Sequence, residues 1–235
     1  MMKIVTVLKL TFCLALTVSS LASRADNTKN QLLPEVACHY EMRIIPQDKS
    51  KAATHKAWFF WRTSNSVQTQ DADSEQGEIW QRTATGNIQY RKLYHSDKTA
   101  VEYMPADNAS NNIDFDWPKL SSMLSKQELD VLKSVDKSEI LGRNAQQYAG
   151  KINGQSIEVQ WLVAEQLPAS ILRKDDHGTV ELRLIEITPL ATAQHKPVTV
   201  EDIASYRQID ATDFGDMEND PFVKKVMAAD GHHTH

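Results

Sequence analysis

Cysteine is nearly absent from this chain. It has two in 235 residues, Cys13 and Cys38, and Cys13 falls in a leader expected to be removed. One remaining thiol excludes an internal disulfide, even in a compartment that would permit one. Cys38 lies in an apparent strand beside His39 and reads as a small buried apolar residue. The sharper alternatives are an intermolecular disulfide and a metal ligand. Positive charge is also in deficit. The net charge is −5, and loss of Lys3, Lys9 and Arg24 with the leader takes it to −8. Such a chain is a poor partner for nucleic acid or anionic membrane surfaces. Catalytic signatures are missing too: there is no Gly-x-Ser-x-Gly, His-Glu-x-x-His or Cys-x-x-Cys. Asp213-Phe214-Gly215 matches a kinase tripeptide by letters alone, without a phosphate loop, a strand lysine or a catalytic-loop Asp in order. No cofactor and no catalytic residue is expected.

What is present begins with an export pattern. Lys3 and Lys9 precede the mostly apolar run Leu10–Leu21, and no acidic residue occurs before Asp26. Ser23 and Ala25 put small residues where a signal peptidase reads, so residues 1–25 are expected to be cleaved. The apolar run is too short, and too broken by Thr and Ser, to span a bilayer comfortably. Phe12 beside Cys13 argues against lipoprotein processing, and no twin-Arg pair occurs. The remaining 210 residues suit one β-rich domain with a substantial core.

Alternation with a period of two dominates residues 146–189. Ile157, Val159, Trp161 and Val163 face one way, Glu158 and Gln160 the other. Val180, Leu182 and Leu184 alternate with Glu181 and Arg183. Such a pattern describes antiparallel strands with one dry face. Further strands are expected at Val36–Ile45, Ala57–Thr63, Glu78–Arg82, Asn87–Tyr94, Thr99–Tyr103, Ser138–Leu141, Ala145–Ile152 and Ala169–Lys174. About nine strands in two groups is the expected total. Gly86-Asn87, Ser96-Asp97, Asn153-Gly154 and Asp175–Gly178 read as turns. Gln68–Gln76 and Asp107–Asp116 read as loops. In the aromatic strand Trp58, Phe59, Phe60, Trp61, both faces are apolar, so both should be covered.

Two short helices are expected near 117–135, where Leu120, Met123, Leu124, Leu129 and Leu132 fall at helical spacing. Ser125 and Glu128 form a capping-box pair. An acidic extension, residues 199–235, follows the sheet domain at 26–198. Thr199–Tyr206 suits a short helix, and Asp220-Pro221 suits a helix start with Phe222, Val223 and Val226 docking inward. Asp210, Asp213, Asp216, Glu218 and Asp220 do not fit the spacing of an EF-hand. Helix capping and an acidic surface for a partner are the expected roles. His232, His233 and His235 form a small metal-binding tract at the terminus.

The segments Tyr148-Ala149-Gly150, Ile157–Trp161, Leu167-Pro168, Gly178 and Leu182–Ile187 resemble the second half of the LolA/LolB-type lipoprotein carriers. The resemblance covers about residues 36–190. It implies a mainly β, α+β fold: an unclosed antiparallel half-barrel wrapped around helices, whose concave face holds acyl chains. Two features depart from the family: no long N-terminal helix precedes the first strand, and an acidic tail follows Thr199. Trp58, Phe60, Trp80, Tyr90 and Trp161 are the candidate lining of an apolar cavity. Arg62 is a candidate anchor for an anionic head group, or a snorkelling side chain. The expected protein is a monomeric, noncatalytic, periplasmic binder of a lipid or other hydrophobic molecule. The alternative is an accessory protein that recruits an envelope partner or metal through its C-terminal extension.

Overall fold

The computed structural model describes residues 33–103 and 116–229. The leader, most of the 107–116 loop and the terminal His232, His233 and His235 lie outside those residues. Twelve strands form one sheet: β1 (Val36–Pro46), β2 (Thr54–Arg62), β3 (Ser66–Asp71), β4 (Gln76–Arg82), β5 (Ile88–Tyr94), β6 (Thr99–Tyr103), β7 (Lys133–Ile140), β8 (Arg143–Ile152), β9 (Gln155–Leu162), β10 (Leu167–Asp175), β11 (Gly178–Pro189) and β12 (Arg207–Asp210). Their order is β12-β6-β5-β4-β3-β2-β1-β11-β10-β9-β8-β7. The sheet is unclosed, mainly antiparallel and accompanied by short helices, as expected. Among the described residues these helices are α1 (Trp117–Ser122), α2 (Lys126–Asp130), α3 (Val200–Ala204) and α4 (Pro221–Ala229).

Two runs of hairpins meet at a central seam where β1 pairs with β11, from Val36 opposite Pro189 to Pro46 opposite Gly178. One register shift lies beside His39 and Tyr40, where Ile185 is the extra residue on β11. The hairpin turns follow their chemistry. Asn153 and Gly154 both have positive φ, 49° and 85°, which a two-residue turn matched to strand twist requires. Asp175 accepts hydrogen bonds from the backbone N–H groups of His177 and Gly178.

Three expectations need correction. Residues 66–71 form strand β3 rather than the start of a loop. Its polar letters hid it, yet Gln68 is buried and its amide donates to the Val198 carbonyl. The helical insert ends at Asp130, and Lys133 already belongs to β7. The count is twelve rather than about nine: the ten segments with strand patterning all form strands, and β3 and β12 add two more. β12 is short and pairs parallel with β6, more than a hundred residues earlier.

Strand alternation separates two faces. Cys38, Tyr40 and Met42 of β1 share one face with Trp58 and Phe60 of β2 and Leu182 and Leu184 of β11. A core of Val36, Cys38, Tyr40, Phe60, Leu184 and Ile187 lies on this Tyr40 face. Leu124, from the insert, and Leu132, just before β7, pack on Ile157, Val159 and Trp161. The capping box is formed: the Ser125 hydroxyl accepts from the Glu128 N–H, and the Glu128 carboxylate accepts from the Ser125 N–H.

Among the described residues, the opposite, Trp61 face is covered only over the first run of strands. After Pro189 the chain crosses it as a strap. Leu190 and Ala193 pack with Trp61. The His195 carbonyl accepts from the Trp61 indole at 2.9 Å, and Ile203 is buried with Ile79, Leu93 and Ala100. The chain then adds β12 to the sheet edge and docks Phe222, Val223 and Val226 of α4 against Tyr94, Val101 and Ile209. Asp220 caps α4 as expected, accepting from the Phe222 and Val223 N–H groups.

Candidate functional site

A cavity of about 500 Å³ opens on the Tyr40 face where five strands, β1, β2, β3, β10 and β11, and the insert meet. Its apolar walls are Met42, Trp58, Met123, Ile171, Val180 and Leu182. Register explains the grouping. Met42 stands opposite Leu182 on one side and Lys56 on the other, and Leu182 stands opposite Ile171. One row of side chains therefore crosses β2, β1, β11 and β10. Met123 reaches the site from the end of α1, where its left-handed backbone (φ 62°) terminates the helix. Two of the six apolar wall residues are methionines, whose unbranched side chains adapt to irregular shapes.

The polar members are Lys56, Thr69, Asp71 and Arg173. Asp71 accepts from the Asp73 and Ser74 N–H groups at 2.9 and 2.8 Å. These bonds and the Lys56 charge hold its carboxyl below the usual carboxylate range, although partial burial opposes them. Lys56 and Arg173 form no salt bridge among the described residues.

Of the five aromatics singled out from sequence, Trp58 alone lines this cavity. Phe60, Tyr90 and Trp161 are buried in the core. Trp80 stacks on Tyr90 at 5.3 Å, on the first run of strands, whereas Trp161 belongs to the cluster under the insert. The structure thus distributes these residues over separate parts of the sheet. The other wall residues were not singled out, because an apolar letter on a strand reads the same for core and cavity. A usable signal was present nonetheless. Lys56 shares a face with Trp58 and Phe60, and Arg173 shares one with Ile171, so each places charge on an apolar stripe.

Arg62 is neither a head-group anchor nor a snorkelling side chain. It is fully buried. Its guanidinium donates to the carbonyls of Pro34 at 3.0 Å, Ser121 at 2.7 Å and Glu165 at 2.6 Å. Burial lowers its pKa to about 10, which leaves it charged at neutral pH. It ties the lead-in to β1, the helical insert and the β9–β10 turn to one point. Cys38 is buried as the apolar reading expects, and burial pushes its thiol up to about 12. A thiol so reluctant to ionise is a poor nucleophile or ligand.

The acidic cluster is partly consumed by local structure. Asp210 accepts from the Thr212 N–H, and Asp220 accepts from Arg207 at 2.6 Å. Among the described residues no group of three or more His, Cys, Asp or Glu is placed to hold a metal ion. Among the same residues no helix is long and apolar enough to cross a membrane.

No family model and no curated protein matches the chain. Solved structures similar to it include PNGF-II, at 13% identity and a TM-score of 0.42 over 78% of this chain and 33% of that one. MucB is similar at 12% identity and a TM-score of 0.42, over 72% of this chain and 56% of that one. A LolA superfamily protein from Nitrosomonas europaea is similar at 8% identity and a TM-score of 0.28, over 73% and 90%. The chain therefore spans a third of PNGF-II and little over half of MucB. The resemblance to LolA-like proteins concerns the outline of the fold and brings no ligand or activity with it.

Proposed function

We propose that this chain is a noncatalytic binding or carrier protein of the bacterial envelope, and that its cavity takes a lipid, acyl chain or other hydrophobic molecule. The observation that carries this reading is the cavity of about 500 Å³ with six apolar walls. That volume lies within the ordinary range for small-molecule sites, and such sites combine apolar walls with few polar groups. Affinity would come from removal of apolar surface from water, about 25 cal/mol per Å² before ordering costs. A periplasmic location follows from the leader pattern in this proposal. Recruitment of a partner through the acidic extension is the lesser reading, because Asp210 and Asp220 already serve the chain's own turns and helix.

Native mass spectrometry of untagged protein from its own envelope tests the proposal. The expected result is a lipid-sized adduct that denaturation releases. Val180→Asp places a charge in a wall that is already partly open to solvent and should abolish the adduct with the fold intact. A bare mass for the native protein, or an adduct that persists in folded Val180→Asp, overturns the reading.

A further inference from the structure

The cavity is chemically lopsided. Lys56 lies near the start of β2, and Arg173 lies near the end of β10. The antiparallel register brings both to one end of the sheet, where β1 finishes and β11 begins. They are three strand spacings apart, roughly 14 Å between backbones, which two long cationic side chains can bridge from either side of a small anion. Trp58, Leu182, Ile171 and Met123 lie further in.

The charges at this end do not balance. Among the described residues, Asp71 is the only carboxylate lining the cavity. It is engaged by two backbone N–H groups and paired electrostatically with Lys56. Of the other acids of β10 and β11, Glu181 alternates with Val180 and Leu182 onto the opposite face, Glu186 lies toward the far end of β11, and Asp175, on the face of Arg173, already accepts from the His177 and Gly178 N–H groups and from the Gln155 amide. Arg173 is left with no salt-bridge or side-chain hydrogen-bond partner among the described residues. One uncompensated guanidinium beside an apolar cavity matches a ligand with one negative charge and an apolar body.

We propose that the cavity takes a single-chain amphiphile with a monoanionic head, a long-chain fatty acid. Its carboxylate would sit between Arg173 and Lys56, with its chain against Trp58, Leu182, Ile171 and Met123. A carboxylate fits better than a phosphate monoester, because a second negative charge would lie beside Asp71 without a cation to meet it. This inference rests on the carrier reading above and specifies its ligand class.

The test is titration of the full mature chain with palmitate, hexadecanol and hexadecyl phosphate below their micellar concentrations, followed by Trp fluorescence and calorimetry. Palmitate should bind tightest. Arg173→Gln should weaken palmitate about tenfold or more, the effect of losing a charge-assisted hydrogen bond, and should leave hexadecanol unchanged. Asp71→Asn should tighten palmitate and serves as the variant of opposite sign. Near-UV circular dichroism checks that each variant is folded. Equal binding of palmitate and hexadecanol, or equal palmitate affinity with and without Arg173, overturns the head-group assignment and leaves the carrier reading standing. Tighter binding of the phosphate also overturns it. Binding of none of the three by folded protein overturns both.

Discussion

The two halves of the sheet are built from the same antiparallel hairpins, yet they are covered differently. Over β2–β6 the Tyr40 face packs inward, and the Trp61 face lies under the strap formed by residues 190–206. Over β8–β11, among the described residues, only the Tyr40 face is covered. There the other face carries Glu158, Gln160, Glu181 and Arg183, with loose pairs such as Lys174–Glu158 at 3.9 Å and Arg183–Glu41 at 3.7 Å. The chain spends its C-terminal residues where its sequence is apolar twice over, and leaves bare the half whose letters already alternate. A strand's pattern thus states how many layers it needs.

Arg62 offers the largest break in this comparison, because it joins the halves. Arg62→Ala would strand the carbonyls of Pro34, Ser121 and Glu165 in the interior and should cost about 3–5 kcal/mol. Arg62→Lys should rescue it poorly, since an ammonium cannot present the same planar fork. Urea unfolding checks both, and an Arg62→Ala midpoint near that of the parent would overturn the claim that this side chain couples the halves.

A matched pair of substitutions sharpens the contrast. Ile203 of the strap is fully buried, so Ile203→Ala should cost about 2–5 kcal/mol. Glu158→Ala on the bare face should stay within about 0.5 kcal/mol. Equal effects in thermal or urea melts would mean that the strap adds no layer of its own.

The smallest effect concerns pH. His95 bonds the Tyr206 hydroxyl at 3.0 Å, tying the strap to the β5–β6 turn. Burial lowers its pKa, against a weaker opposing pull from Glu75. A histidine with a depressed folded pKa adds no penalty while it is neutral in both states. Stability is therefore kept above the ordinary value near 6.5 and falls as pH drops through the folded value. Protection factors of the amides around Tyr206, with the intrinsic pH dependence of exchange divided out, should fall between pH 7.5 and 5, and His95→Gln should flatten that dependence. A fall that is equally steep in the variant would assign the effect to another group.

Much of this fold was legible in the letters. The alternation of Ile157, Val159 and Trp161 in β9 and of Leu182 and Leu184 in β11, the Asn153-Gly154 turn, the Ser125–Glu128 box and the Asp220 cap are local signals that formed where expected, whereas Val163 falls past the end of β9 and is exposed. What escaped was decided at a distance. β3 is a strand because β2 and β4 pair with it on both sides, and its polar Gln68 can be buried because it meets the Val198 carbonyl, 130 residues away. β12 is a strand only because β6 offers an edge. The site was legible in part: Trp58 was found by its bulk, whereas Met42, Val180 and Leu182 needed the β1–β11 seam to bring them together. A letter pattern fixes which face a residue takes, and neighbours across a seam decide whether that face is core or wall.

That seam also orders events in time. Each half is a meander of near neighbours that closes quickly, but joining them requires Val36 to find Pro189. The first half then waits longer still, for Ile203 and β12. Folding that depends on such distant contacts is slow. A chain threaded N-terminus first through a narrow exit would therefore keep its first half unfinished until residues 203–210 had emerged.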